Sequence, residues 1–254
     1  SAEFLYLLDD IQPDLVIHLA ASAGVRYSMD NAIEYINNNI HGTPCVINAC
    51  EEINVQNVIY ASTSCVMHDN PLPWNEEEKL GPQLSPYGYS KATNEHQFNI
   101  SKIPNAVCLR FFTVYGPWGR PDMAPIKFAK SIISGQKIQI YNNGNHSRDF
   151  TYIDDIVSGI RLVADRVAVS DPGFSRAVPS QGSSYVPWRV FNIGGENPIA
   201  LMDFVSKLER ALNRKANIEF VARQIGDMDK TSADCSAIRN ATGWSAKVSL
   251  DEGL

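Results

Sequence analysis

Three short apolar runs, each emptying into small or hydroxylated residues, constrain this chain more than any other feature. Residues 15–19 lead into Ala20-Ala21-Ser22-Ala23-Gly24. Residues 58–61 lead into Ser62-Thr63-Ser64, and residues 106–112 into Thr113-Val114-Tyr115-Gly116-Pro117. Mainly apolar runs of about four to eight residues, here with His18 and Arg110 as the exceptions, read as strands covered on both faces. Helical periodicity lies between them, and strands alternating with helices imply βαβ units and a largely parallel sheet. The expected fold class is therefore α/β with a doubly wound parallel sheet.

The remaining segments fit around that frame. Residues 1–10 read as the end of an amphipathic helix, broken by Gln12-Pro13-Asp14. Helix signals run over 33–52 with Gly42 interrupting them, and a Pro-rich loop over 70–86 precedes a helix carrying Tyr87 and Lys91. Beyond Gly116 the rhythm weakens to a helix at 125–134, a strand at 137–141 and a helix at 152–166. Residues 170–187, rich in Ser, Gly and Pro, read as a surface loop. From 191 to 254 short strands and helices alternate as a lobe packed on the sheet. Two units follow: 1–116, and 117–254 with some segments returning to the sheet.

At 254 residues and 44% hydrophobic the chain can bury a substantial core. A net charge of -6 argues against a general nucleic-acid or membrane-surface binder. The five cysteines are odd in number and scattered, with no Cys-x-x-Cys pair, which suits a reducing cytoplasm and offers no disulfide frame or zinc site. The histidines are dispersed, so no metal site is expected, and no apolar run reaches the ~18 residues of a membrane span.

Tyr87-Gly88-Tyr89-Ser90-Lys91 sets a phenol four residues before an ammonium, on one helix face. A lysine beside a tyrosine favours the phenolate, letting it act as a base below its free pKa of about 10. Tyr and Lys at this spacing also occur on solvent-facing helices. Ligands in open α/β sheets sit at the carboxyl ends of strands, which places Thr63 where a hydroxyl could hydrogen-bond the oxygen that Tyr87 deprotonates. Hydroxyls at strand ends also cap helices and close turns.

These residues resemble the extended short-chain dehydrogenase/reductase superfamily, and within it the nucleotide-sugar epimerases. Ile17-His18-Leu19-Ala20-Ala21 is similar to the strand beside the dinucleotide, Asn37-Asn38-Asn39-Ile40-His41-Gly42-Thr43 to the following helix, and Arg148-Asp149-Phe150-Thr151-Tyr152-Ile153-Asp154-Asp155 to the segment that meets the sugar-nucleotide phosphates. Ala23-Gly24-Val25-Arg26-Tyr27-Ser28 and the stretch from Phe111 through Gly119-Arg120-Pro121-Asp122-Met123 resemble UDP-glucuronate 4-epimerases.

The resemblance implies a Rossmann-like fold, NAD as cofactor and a UDP-sugar as substrate. It implies Thr63, Tyr87 and Lys91 as catalytic residues, and Ala20, Ala21, Asn39, Ser62 and Phe112, with Tyr87 and Lys91, around the cofactor. Ser64, Thr113, Arg120, Arg148 and Asp227 are implied on the substrate side. Arg120 would grip a uronate carboxylate, and a loop arginine exposed between glycine and proline is the alternative. Asp227 would meet the uridine ribose, and a turn-forming Gly-Asp is its alternative. Dehydratases and decarboxylases of this superfamily carry acidic residues after the catalytic hydroxyl, where this chain has Ser64 and Cys65. The resemblance also implies a homodimer built on helices 33–52 and 87–101, with Val46, Ala49, Cys50, Ala92 and Phe98 as apolar positions.

One departure is large. The superfamily opens with a strand and a Gly-x-x-Gly-x-x-Gly turn that binds the cofactor pyrophosphate, and the sequence has no such turn. The strand at 15–19 is then expected at a sheet edge. The chain alone is expected to bind NAD weakly and to lack epimerase activity while keeping some affinity for UDP. The expected activity is C4 epimerisation of UDP-glucuronate. The rivals are an epimerase for UDP-galactose or an N-acetylated sugar, and a non-catalytic sugar-nucleotide-binding protein.

Overall fold

The computed structural model describes residues 2–166, 168–177, 180–224 and 226–254. Helix α1 (Ala2–Ile11) leads to strand β1 (Leu15–His18), helices α2 (Val25–Asp30) and α3 (Ala32–Tyr35), a π-helical turn (Ile36–His41) and α4 (Gly42–Glu52). Strand β2 (Asn57–Thr63), helix α5 (Pro86–Asn99) and strands β3 (Asn105–Phe111) and β4 (Thr113–Tyr115) follow. Then come α6 (Ala124–Ile133), β5 (Lys137–Tyr141), β6 (Ser147–Tyr152), α7 (Ile153–Ala164) and β7 (Trp188–Ile193). The chain ends with β8 (Pro198–Ala200), α8 (Leu201–Leu212), β9 (Asn217–Val221), α9 (Ser236–Thr242) and α10 (Leu250–Gly253).

The main sheet is parallel throughout, in the order β1-β2-β3-β7. Alternation along β2 and β3 sends side chains to both faces, as a strand buried between two layers requires. Val58, Tyr60, Ala106 and Cys108 pack with Leu8, Ile47, Cys50 and Phe98 from α1, α4 and α5. Ile59, Val107 and Leu109 pack with Ile156, Val163, Ile238 and Trp244 from α7, α9 and the segment after it. Helices on both faces of a parallel sheet make this the expected Rossmann-like α/β fold. A third cluster, with Phe128, Ile138, Ile140, Phe204 and Leu208, joins α6 and α8 to the β5-β9 pair. Strand β6 pairs in parallel with β4 and antiparallel with β8.

Several sequence expectations are corrected. Gly42 does not interrupt its helix, since φ -69° and ψ -37° are helical. The irregularity lies just before it, in the π-turn, where carbonyls are left open. The Asn94 side-chain amide donates to the Asn39 carbonyl at 2.8 Å and that of Gln97 to the Ile40 carbonyl at 3.0 Å. The helix expected at 152–166 begins only at Ile153, because Tyr152 closes β6. That strand is hidden in the sequence because its buried positions are polar. Asp149, fully buried, accepts from the backbone N–H groups of Gly195 (2.6 Å), Glu196 (3.1 Å) and Ala233 (2.8 Å).

Both sheet edges are legible. Strand β1 pairs only with β2 among the described residues, with Ile17 and Leu19 exposed beside it. At the other edge the 170–187 loop runs along β7, through a Ser183–Arg189 bridge and a hydrogen bond from Val190 N–H to Gly182 O at 3.0 Å. Val178 and Pro179 of that loop lie outside the described residues. The apolar positions expected at a dimer contact are a correction as well: Ala49, Cys50, Ala92 and Phe98 are buried in the chain's own core. Among the described residues no helix is long and apolar enough to cross a membrane.

Helix α5 is anchored by charge. Ser85 caps it by accepting from Gly88 N–H at 3.1 Å, and Pro86 occupies its first turn. Two turns in, the Glu95 carboxylate takes the Arg110 guanidinium of β3 in a two-pronged bond (3.0 and 2.8 Å) and the Ser62 hydroxyl of β2 at 2.6 Å. Glu95 is 2% exposed and Arg110 1%. Breaking one side of such a pair costs about 3–5 kcal/mol, because the other charge stays buried alone. An arginine cannot shed its proton, whereas a glutamate can take one up. Glu95→Gln is therefore expected to lower the urea midpoint of unfolding more than Arg110→Met. The reverse order would show that the pair does not carry the charge assigned to it.

Candidate active site

The carboxyl ends of the main-sheet strands and the start of α5 converge on one region. Tyr87, Lys91 and Glu95 lie four residues apart, on one stripe of α5. Glu95 is fixed to β2 and β3, so the stripe presents Tyr87 to the end of β2. There the Thr63 hydroxyl accepts from Cys65 N–H at 3.3 Å and acts on the Tyr87 phenol. Lys91, 4% exposed, donates from Nζ to the Ala61 carbonyl at 2.8 Å.

The electrostatics differ from the expectation. Burial pushes the Tyr87 phenol above its ordinary range and the nearby Cys65 thiol adds to that, while Thr63 and the Arg120 guanidinium pull it down. Lys91 is not what lowers it, since its ammonium is turned to the Ala61 carbonyl. Burial instead brings Lys91 itself down to about 8. Cys65, half-buried, has its thiol pushed up by burial, with Arg148 and Asp227 in its field.

Two residues absent from the predicted site complete this pole. Tyr35 is fully buried, donates its hydroxyl toward the Ala23 and Gly24 carbonyls (3.0 and 2.9 Å) and meets the Tyr87 ring edge-on, with centroids 6.1 Å apart. Gly24 has φ +116°, and a β-carbon on it would lie 2.7 Å from Arg120 Nη2, so the guanidinium rests on bare backbone. Only glycine suits both demands. Arg120 thus stands beside Gly24 and within the field of both Tyr35 and Tyr87.

The second pole is cationic. Arg148, half-buried, donates to the Ser147 and Asp229 carbonyls (3.0 and 3.1 Å). Its charge is felt at Cys65, and Asp227, Asp229 and Arg26 surround it. Arg26 reaches from α2 to Asp227 at 2.8 Å and stacks over the Tyr141 ring. Arg223 pairs with Asp229 at 3.2 Å. A small pocket beside Cys65 is lined by Val25, His68, Leu84, Ser85, Gly226 and Met228. In the sequence the signal for Arg26 is a lone cation among apolar and small residues.

Other predicted residues fall around these poles. Ala20 and Ala21 form a small, exposed shelf after β1. Asn39, in the π-turn, spends its amide on both backbone groups of Ser22 (2.9 Å each) and on the Ser90 hydroxyl (2.9 Å), and so braces that shelf against α5. Ser62 gives its hydroxyl to Glu95, and the Phe112 ring is buried in the core beside Trp74, so neither side chain reaches the shelf. Ser64 is buried in the turn after β2, and Thr113 opens β4 half-buried. Among the described residues no group of His, Cys, Asp and Glu could hold a metal ion.

A parallel α/β sheet with a tyrosine, a lysine and a threonine at its carboxyl edge defines a nucleotide-dependent enzyme of the short-chain dehydrogenase type. The chain belongs to the NAD dependent epimerase/dehydratase family, whose profile matches residues 1–194. Protein CapI of Staphylococcus aureus is 40% identical over 250 residues, covering 96% of this chain and 75% of that protein. A probable UDP-glucuronate 4-epimerase of Rhizobium meliloti is 38% identical over 252 residues, covering 96% of this chain and 73% of that protein. Among solved structures, the UDP-glucuronic acid 4-epimerase of Bacillus cereus, in complex with UDP-glucuronic acid and NAD, superposes with a TM-score of 0.84 at 33% identity, over 98% of this chain and 74% of that one.

NAD is the cofactor of this family. The residues at the α5 stripe fit its nicotinamide end: an ammonium has three donors and Lys91 uses one on Ala61, while Ala20 and Ala21 leave room for close approach.

The Lys91 value has a measurable sign. The folded chain releases this proton near pH 8, the unfolded chain near 10.5. Between those limits the unfolded state binds more protons, so raising the pH favours the folded state. Below pH 8 the burial penalty is fully present. Relative to Lys91→Met, the wild-type unfolding free energy is expected to rise by about 1–2 kcal/mol between pH 8 and 9.5. Urea titrations at several pH values measure this, and parallel curves for the two proteins would refute it.

Proposed function

We propose that the chain supplies the catalytic and substrate-binding residues for C4 epimerisation of a UDP-hexuronate, converting UDP-glucuronate to UDP-galacturonate through a 4-keto sugar, when joined to a cofactor-binding turn. The observation behind this is the placing of Arg120 beside Tyr87: a carboxylate-binding fork and a phenolic base share one pole, and Arg148 and Arg26 occupy the other. The Rhizobium meliloti and Bacillus cereus relatives support the same substrate.

Bound NAD supplies a reversible hydride acceptor for the sugar C4. The protein's own groups do the rest. Thr63 donates to the sugar O4 and steadies the charge that develops there, while Tyr87 takes the O4 proton and later returns it. The lowering of the phenol that Lys91 does not provide comes from Thr63 and the Arg120 guanidinium. Lys91 holds the nicotinamide ribose with its free donors. Arg148 meets the diphosphate, with Asp227 at the uridine ribose.

Arg120 addresses a chemical hazard. A 4-keto uronate is a β-keto acid, which loses carbon dioxide once its carboxylate lies across the carbonyl plane. A guanidinium holds a carboxylate by two parallel hydrogen bonds and keeps it in place, with Thr113 near enough in the sequence to add a third. Ser64 and Cys65 provide no carboxylate for dehydration. In this reading residues 117–254 supply most substrate contacts, and the enzyme works in the cytoplasm as a C2 pair. The outward faces of α3, α4 and α5 would meet, where Ile33 and Tyr89 are exposed.

The test uses a fusion that supplies a Gly-x-x-Gly-x-x-Gly turn ahead of the chain, incubated with NAD and UDP-glucuronate. UDP-galacturonate is the expected product by chromatography, and Tyr87→Phe should lower turnover by about 10² or more. Arg120→Ala should raise KM and release some UDP-pentose, detected by mass spectrometry. Full activity of Tyr87→Phe would overturn the assignment of the base. Unchanged affinity of Arg120→Ala without pentose would move the carboxylate grip elsewhere.

A further inference from the structure

Arg120 is already occupied by a carboxylate. Its Nε donates to Asp122 Oδ1 at 3.1 Å and its Nη2 to Asp122 Oδ2 at 2.5 Å, a forked bond of the kind a uronate would require. The pair is built into one turn. Met123 N–H bonds the Arg120 carbonyl at 3.2 Å, and Pro121 sits at the second position, where its fixed φ favours such a turn. The turn therefore keeps Asp122 within reach of Arg120 even when their bond is exchanged. Both side chains are partly exposed, Arg120 at 41% and Asp122 at 59%, so the bond can exchange with a ligand from solvent. The face of Arg120 opposite solvent is fixed by Gly24.

We propose that Asp122 is an internal competitor for the substrate's carboxylate: it fills the Arg120 fork in the empty site, gives it up to a uronate, and thereby sets how strongly the site favours charged over neutral sugars. This rests on the uronate reading above. A neutral sugar gains nothing by displacing Asp122 and leaves the pair intact. A uronate must displace it, and afterwards two carboxylates share one guanidinium, which weakens the hold and favours product release. Lys127, whose charge also acts on Asp122, is the cation placed to receive the displaced carboxylate.

Calorimetric titration of the 254-residue chain with UDP-glucuronate and with UDP-glucose tests this, using wild type, Asp122→Asn and Arg120→Met. Asp122→Asn should tighten UDP-glucuronate binding about fivefold at low salt, the upper end for an exposed ion pair, and leave UDP-glucose unchanged. The gain should shrink at high salt. Arg120→Met should bring the two ligands to the same affinity. If Arg120→Met abolishes the preference while Asp122→Asn leaves it where it was, the competitor role is wrong and the uronate reading stands. If Asp122→Asn shifts both ligands equally, Asp122 serves only the turn and the proposal fails. If Arg120→Met does not change the preference, or neither ligand binds wild type, the uronate reading falls and the proposal with it.

Discussion

The Glu95–Arg110 ion pair is the contact on which the rest of the site depends. It joins the middle of α5 to β3, and through Ser62 to β2, at the depth in the sheet where hydrogen-bond register leaves no freedom. A helix lying on a sheet by apolar contacts alone can slide or roll, because such contacts have little directional preference. Glu95 removes that freedom, and since Tyr87 and Lys91 share its stripe, their positions follow. Well-packed apolar residues could stabilise the same place equally well. What they could not supply is direction.

Much of this was legible in the sequence because it follows from local pattern. Strands β1, β2 and β3 declare themselves by apolar runs, whereas β7 lies where a surface loop and the start of a lobe were expected. The candidate pole declares itself by Tyr and Lys at one-turn spacing after a strand ending in hydroxyls. What stayed hidden has non-local causes. Strand β6 carries buried Asp149 and Thr151 where an apolar run was sought, because its carboxylate collects N–H groups from segments some 46 and 84 residues away. The role of Tyr35 depends on a loop 11 or 12 residues upstream that only tertiary folding brings under its hydroxyl. Asn39 was expected at the cofactor, and its amide proves to be spent on Ser22 and Ser90.

The electrostatic expectation failed for an instructive reason. Spacing says which residues share a face, but not which way a long side chain turns. Lys91 swings its ammonium to a carbonyl at the end of β2, and the low dielectric around it then acts on the lysine more than the lysine acts on Tyr87. The phenol of the free chain is a reluctant base. What pulls it back down is the Thr63 hydroxyl and the Arg120 guanidinium.

The π-turn has an implication for how this fold can vary. A π-turn amounts to one residue more than a regular helix needs, so deleting any one residue within Ile36–His41 would give the helix better internal hydrogen bonding. It would also move the side chains of the turn itself relative to the helices that flank it. Ser22 and Ser90 would lose Asn39, and the donors of Asn94 and Gln97 would face carbonyls no longer open. A sequence edit that improves the segment by every local measure would thus dismantle its docking on α5. Here, a surplus residue is part of the design, and the length of this helix is under tighter restraint than its composition.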